Sequence, residues 1–299
     1  MKRLFLFIGF GLILLVLLAL ILSLAFSSSF SGLSGEIAVI SIKGDIVSSS
    51  DSFSASMTSK DIAAKIKEAD SDPFIKAIFL DIDSGGGSVV ATKEIVYAVR
   101  EANKPVVSYI GEVGASGAYY IAAASDFIVA DEDSLTGSIG VISISANLKG
   151  LLEKLGIKME VLKEGEFKDM GSPYKELTED EEQLLNEILL QASTNFKQDI
   201  LDFRKDKLTE QKFYSVADGR IISGRKALEV GLIDLTGTRN QAIDKAAELA
   251  GITGEPTLRE FTQPQADLLS LMAKSGYSFG TGFISAVRSN KPEFDLQAK

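Results

Sequence analysis

In Gly114-Ala115-Ser116-Gly117-Ala118-Tyr119-Tyr120 one hydroxyl stands between glycines where a strand should turn into a helix. That is the layout of an exposed nucleophile. The spacing is G-x-S-G rather than the G-x-S-x-G of the hydrolase elbow, and Ser116 is equally well placed to cap the helix that follows. Asp83-Ser84-Gly85-Gly86-Gly87-Ser88 lies between an apolar run and a second helix. Glycines there let backbone N–H groups come close to an oxyanion or a phosphate at a helix N-terminus. A plain strand-to-helix turn would use the same residues, and the Gly-Lys-Ser/Thr ending of a Walker A loop is missing. Two further stretches combine small and polar residues: Thr136-Gly137-Ser138-Ile139-Gly140, and Gly165-Glu166-Phe167-Lys168-Asp169-Met170-Gly171-Ser172-Pro173. Lys168 sits in a polar loop, where a lone lysine is ordinarily a solvated charge.

What the chain lacks narrows its chemistry. Its 299 residues include no His, no Cys and no Trp. A Ser-His-Asp triad, an imidazole base and a His-ligated metal are excluded. So are a thiolate nucleophile, a disulfide and a thiolate zinc or iron–sulfur site. A general base must be Asp, Glu, Lys, Tyr or a terminal amine. With 31 Lys+Arg against 41 Asp+Glu the formal charge is −10, which argues against nucleic acid as a partner, because phosphate contact needs a dense basic face. A 45% hydrophobic content supplies material for a core.

The elements that must position these residues alternate between strands and helices. Strands are expected at 36–42, 75–82, 106–110, 127–130, 139–144 and 157–162. The nearly unbroken apolar run Ile75 to Ile82 is the pattern of a strand covered on both faces. Ser59 is expected to cap a helix carrying Ile62, Ile66 and Ala69 on one face and ending before Pro73. Further helices are expected near 88–102, 118–124, 147–155, 209–217, 223–230 and 238–250. A long one starts at Thr178-Glu179-Asp180-Glu181, a capping box with acids in its first turn. The alternation predicts one α/β domain over residues 36–254.

Ahead of it, Leu4 to Phe26 carries no charge and no proline. As a helix it is about 34 Å long, enough for a hydrocarbon core of about 30 Å. That length favours an uncleaved signal anchor over a signal peptide, although Ser23 and Ala25 form a small-x-small site. Lys2 and Arg3, in an n-region of residues 1–3, place the N-terminus inside by the positive-inside rule. The domain would then stand on the outer face of the cytoplasmic membrane behind a flexible tether, residues 27–35. Residues 255–299 read as a tail that contacts a partner or docks near the active site.

Taken in order, the motifs resemble those of the S49 peptidases, in the short bacterial signal-peptide-peptidase branch. The family's S-P-G-G loop is similar to Ser84–Gly87, its G-A-S-G-G-Y-Y-x-A motif to Gly114–Ala122, and its T-G-S-I-G-V motif to Thr136–Val141. Its G-x-F-K-x-x-G-S-P motif resembles Gly165–Pro173, and its D-G-R-x-x-x-G-x-x-A-x-x-x-G-L-x-D motif resembles Asp218–Asp234. Gly85 stands where the family has Pro and Ala118 where it has Gly, which changes loop stiffness more than chemistry. The resemblance implies a ClpP/crotonase-like spiral of ββα units behind a transmembrane helix. It implies a Ser–Lys dyad: Ser116 as nucleophile, Lys168 as general base, Ser138 orienting the lysine, and the N–H groups of Gly87 and Gly117 as oxyanion hole. A lysine base must come down about three pKa units from 10.4 to work near neutrality, which desolvation can supply, and its activity should rise above neutral pH. By the same resemblance no metal or other cofactor is needed. Remnant signal peptides and other short unfolded peptides are the expected substrates, and a ring-like homo-oligomer, with an octamer as the family precedent, would bury the lysine. The fold also hosts acyl-CoA enzymes, which would use the glycine loop for a thioester, and a non-catalytic membrane ring is the other alternative.

Overall fold

Side chains of the Ile75–Ile82 run alternate between two apolar layers, and the sheet is built outward from it. The structure is a computed structural model that describes residues 35–49 and 58–261. β1 (Glu36–Ile46) and β2 (Ile75–Gly87) pair in parallel, Ile37 opposite Ala77 through Ile42 opposite Ile82. β3 (Val106–Ala115) lies on the other side of β2 and forks. Its Val107–Ile110 stretch pairs with β4 (Phe127–Ala130), and its Val113–Ala115 end pairs with β5 (Leu135–Gly137). β6 (Ile221–Ser223) runs antiparallel to β5, β7 (Leu235–Thr236) is parallel to β4, and β8 (Thr257–Glu260) is parallel to β1. The expected α/β fold is therefore observed, and its sheet is parallel except where β6 joins β5. The sheet extends past residue 254, the expected end of the domain, because β8 completes the edge of β1.

Helices cover both faces, as parallel sheets require. On one side α1 (Ser59–Ser71), α2 (Val89–Glu101) and α3 (Gly117–Ala123) pack with Ile40, Ile42, Leu80 and Ile82. After α4 (Lys149–Lys154), the long α5 (Glu179–Phe203) adds Phe196 and Ile200 to that layer. α6 (Glu210–Tyr214) and α7 (Gly224–Val230) complete it with Phe213 and Ala227. On the other face α8 (Arg239–Leu249) sets Ala242, Ile243 and Ala246 against Val39, Phe79 and Val107. Fully burying each isoleucine, leucine, valine or phenylalanine side chain among these stabilises by about 1.5–3 kcal/mol.

Several local expectations change. The first helix is capped by Thr58, not Ser59: Thr58 accepts from the Asp61 N–H and Asp61 reaches back to the Thr58 N–H at 3.0 Å. Ser59 instead donates to Glu94 at 2.6 Å and ties α1 to α2. The capping box at Thr178 is present as expected. Residues 139–144 and 157–162 form no strand. Their side chains include Ile142, Ile144 and Leu162, exposed by 80%, 86% and 100%. β propensity needs a neighbouring strand to be realised, and the described residues offer these segments none. No helix among the described residues is long and apolar enough to cross a membrane. The expected anchor 4–26 lies outside them, as do tether residues 27–34 and tail residues 262–299.

Candidate active site

β3 and α3 meet at Ser116, whose backbone cannot relax. Its φ is 53° and ψ −121°, a region costly for an L-residue, of order 1–3 kcal/mol. The neighbours impose it. The Ser116 N–H donates to the Gly137 carbonyl at 2.8 Å, and Thr136 Oγ1 donates to the Gly114 carbonyl at 2.7 Å. The helix that follows is buried along its length, with the Tyr119 hydroxyl donating to the Leu232 carbonyl at 2.7 Å. Burial pushes the Tyr119 phenol well above its ordinary pKa, so it stays a neutral donor.

Register brings the second hydroxyl alongside. Ala115 lies opposite Gly137, so the next residues, Ser116 and Ser138, leave adjacent strands together, about 4.8 Å being the strand spacing. Ser138 has φ 50°, and its N–H is held by the Arg220 carbonyl at 2.8 Å. Among the described residues Ser116 and Ser138 are the non-glycine positions with positive φ. Both are half-buried and line one cavity of about 590 Å³.

Gly87 and Gly117 line it too. Ser84 shapes the glycine loop, donating to the Gly44 carbonyl at 2.6 Å and accepting from the Gly86 N–H at 3.1 Å. A Cβ on Gly87 would stand 2.1 Å from the Ile46 carbonyl oxygen, so only glycine fits beside β1. The Gly117 N–H is the first of a helix and has no acceptor within it. A Cβ on Gly117 would lie 2.4 Å from Thr92 Oγ1 and 3.4 Å from the Gly87 nitrogen. The Gly117 backbone is thus packed closely against the buried Thr92 hydroxyl, which has no hydrogen-bond partner among the described residues. Gly117→Ala is expected to push this corner apart and lower kcat/KM about 10- to 100-fold. Adding Thr92→Ala should recover most of the loss. A double variant no better than Gly117→Ala would show that the Thr92 contact is not the constraint.

Lys168 is not brought to this cavity within one chain. It stands exposed on the 164–173 loop, and its side chain makes no hydrogen bond or ion pair among the described residues. The loop is nonetheless built. Asp169 is held by Lys163 at 2.7 Å and Lys175 at 3.1 Å, and Lys175 in turn by Glu181 at 2.5 Å. The Lys163 hydrogen bond, assisted by that of Lys175, draws the Asp169 carboxyl below its usual range despite some desolvation.

The cavity's far wall was not read from the sequence. Ile188, Gln191, Ala192, Asn195 and Phe196 of α5 line it, at the i, i+3, i+4, i+7, i+8 spacing of one helix face. That spacing was a usable signal, but it could equally have marked core. Tyr120, also a lining residue, joins this wall to α3. Its ring stacks on Phe196 at 4.5 Å between centroids and its hydroxyl donates to Asp199. Burial, then the Asp199 carboxylate, raise the Tyr120 pKa. Asp218 lines the opposite rim, and the Arg220 guanidinium, donating at 2.7 and 3.0 Å, pulls its carboxyl down to about 2. Lys93 is the remaining charged lining residue. Among the described residues no group of His, Cys, Asp and Glu could hold a metal ion.

The arrangement offers a strained hydroxyl, two glycines on the same cavity and a wall with Val89, Ile142, Ile188 and Phe196, which suits acyl transfer on an apolar substrate. Comparisons with known proteins agree. The model of peptidase family S49 matches residues 98–253. A protein of Methanocaldococcus jannaschii named as a protease is 33% identical over 219 residues, covering 73% of this chain and 70% of its own length. One of Enterococcus faecium named as a signal peptide peptidase is 36% identical over 183 residues, 60% of this chain and 53% of that protein. Among solved structures, a membrane-bound stomatin-specific protease superposes with a TM-score of 0.52 at 15% identity, over 77% of this chain and 99% of that one. At that identity the superposition speaks for the fold alone.

Proposed function

The chain belongs to peptidase family S49, and from that premise we propose that it is a serine endopeptidase with a Ser–Lys dyad shared between copies of the chain. Ser116 Oγ attacks the scissile carbonyl carbon while Lys168 Nζ takes its proton. The tetrahedral oxyanion is held by the N–H groups of Gly87 and Gly117. Its collapse expels the amine, which takes the proton back from the lysine, and leaves an acyl-enzyme. Water, deprotonated by Lys168, then releases the acid and restores Ser116. Ser138, next to Ser116 in the register, accepts from the lysine amine and orients it.

One observation carries this reading: among the described residues the two non-glycine positions with positive φ are Ser116 and Ser138, on one cavity that Gly87 and Gly117 also line. Backbone strain of that kind collects at functional sites. The exposure of Lys168 supports a base that completes a neighbour's site. So do the exposed apolar side chains of Ile142, Ile144, Ile157, Met159, Val161 and Leu162 that precede its loop, which suit pairing between copies in a ring, with eight members as the family precedent. Substrates would be remnant signal peptides and other short unfolded peptides. With residues 4–26 as an anchor, the domain would work at the outer face of the cytoplasmic membrane, where apolar peptides concentrate.

The test is hydrolysis of a fluorogenic apolar peptide by the full chain in detergent micelles, beside its Ser116→Ala variant. The parent should cleave, and the variant should be slower by about 10³-fold or more. A folded Ser116→Ala protein that cleaves like the parent would overturn the assignment of the nucleophile.

A further inference from the structure

Lys93 lies on α2, one turn past Val89 and beside Thr92, and all three line the cavity that holds Ser116. Two charged residues line that cavity, and they differ in their surroundings. Asp218 is neutralised by the fork of Arg220. Lys93 is half-buried and has neither hydrogen bond nor ion pair among the described residues; its ammonium is 5.9 Å from the Tyr97 ring centroid. That is the outer limit of a cation–π contact. Lys163, Lys175, Lys207, Lys226 and Lys245 each have a carboxylate within 4 Å, and of the described lysines that have none, Lys93 is the one that lines this cavity. An uncompensated ammonium in a partly desolvated cleft attracts an anion, and the anion a peptide brings is a carboxylate. Across the cavity Gln191 and Asn195 supply amide N–H donors that can share it.

We propose that Lys93 is a specificity-determining residue that selects peptides presenting a carboxylate to this cavity, either an Asp or Glu side chain or the peptide's own C-terminus. The proposal deepens the peptidase reading and rests on it. The cleft otherwise takes apolar side chains against Val89, Ile142, Ile188 and Phe196, so the favoured peptide is apolar with one acidic group.

The test uses the full chain and two matched pairs of fluorogenic apolar peptides. One pair differs by Glu against Gln at a single position scanned along the peptide, the other by a C-terminal carboxylate against a C-terminal amide. The parent should favour the carboxylate member of one pair in kcat/KM by about tenfold, and the responding pair identifies the source. Lys93→Met keeps the apolar stem and should erase that ratio, and Lys93→Glu should invert it toward a Lys-bearing peptide. A purely structural role for Lys93 would slow both members equally and leave the ratio intact, which overturns the proposal, as does a parent indifferent in both pairs. Binding of the same peptides to the Ser116→Ala protein, by fluorescence anisotropy, separates this from the peptidase reading. A carboxylate preference in binding with no hydrolysis by the parent would sink the catalytic assignment and keep Lys93. Hydrolysis with no preference would do the reverse.

Discussion

Chains carrying Ser116→Ala and chains carrying Lys168→Ala are each expected to be inactive, and co-expressing them should restore activity. The reason is geometric. Within one chain Ser116 faces the cavity, whereas Lys168 stands exposed outside it. If a site takes its nucleophile from one copy and its base from the next, a mixed ring contains some intact sites. Those sites pair the Ser116 of a Lys168→Ala chain with the Lys168 of a Ser116→Ala chain. Random assembly of a closed head-to-tail ring at equal amounts makes about a quarter of sites intact. Peptide hydrolysis at roughly a quarter of the parent rate is therefore the expected result. Purified variants mixed after assembly should recover only as fast as subunits exchange. If the co-expressed pair forms mixed rings yet stays at the background of each variant alone, the dyad is not shared between copies.

A second large effect is expected in stability. Arg204, which caps the C-terminus of α5, is 2% exposed and forms a two-pronged salt bridge with Asp234, both contacts 2.9 Å. Asp234 also accepts from Lys207 at 2.5 Å and from the Ile128 N–H at 2.8 Å. The pair joins the cavity-wall helix to β4. Asp234→Ala strands a buried guanidinium, and the loss should be about 3–5 kcal/mol in denaturant unfolding at fixed protein concentration. Replacing both partners, as Arg204→Met with Asp234→Leu, should recover part of it, because no buried charge is then left unpaired and Lys207, 44% exposed, can turn to water. A cost for Asp234→Ala below about 1 kcal/mol would mean that the guanidinium finds water, against its near-complete burial.

The pH dependence follows. Burial alone would raise the Asp234 pKa, but the hydrogen bonds and charge of Arg204, with Lys207 and the Ile128 N–H, outweigh it, and the folded value lies below 3.8. A carboxyl depressed on folding contributes stability that is complete above its unfolded pKa, about 3.9, and disappears as pH falls through the folded value. The parent should thus lose this contribution only in acid, below about pH 4. The Arg204→Met/Asp234→Leu protein should show a shallower decline over that interval.

Much of this molecule is written locally. The nearly unbroken apolar run Ile75–Ile82 has the pattern of a strand covered twice, because in a strand with one polar face every second residue would be hydrophilic. The glycines at 87 and 117 and the hydroxyls at 116 and 138 were visible as motifs, and parallel register then placed them on one cavity. Thr178 and Glu181 announced the start of α5, since a capping box is a contact over three residues and needs no other element.

What the sequence could not decide were the relations between distant segments. Segments 139–144 and 157–162 have the composition of strands, yet the described residues provide no edge to receive them. A strand is a property of two segments, and composition describes one. The face of α5 with Ile188, Ala192 and Phe196 could have been core or cleft wall, because apolar periodicity shows that a face is covered and not by what. Nothing local sets Lys93 apart from the other lysines; packing places it on the cavity with no carboxylate in ion-pair range among the described residues. Lys168 shows the same limit from the other side: its motif marked it, and the fold of one chain leaves it outside the cavity. Residue types, turns and caps act over a few residues and were determined by the sequence itself. Which charges meet, and which remain unpaired, depends on elements tens of residues apart, and only their packing decides that.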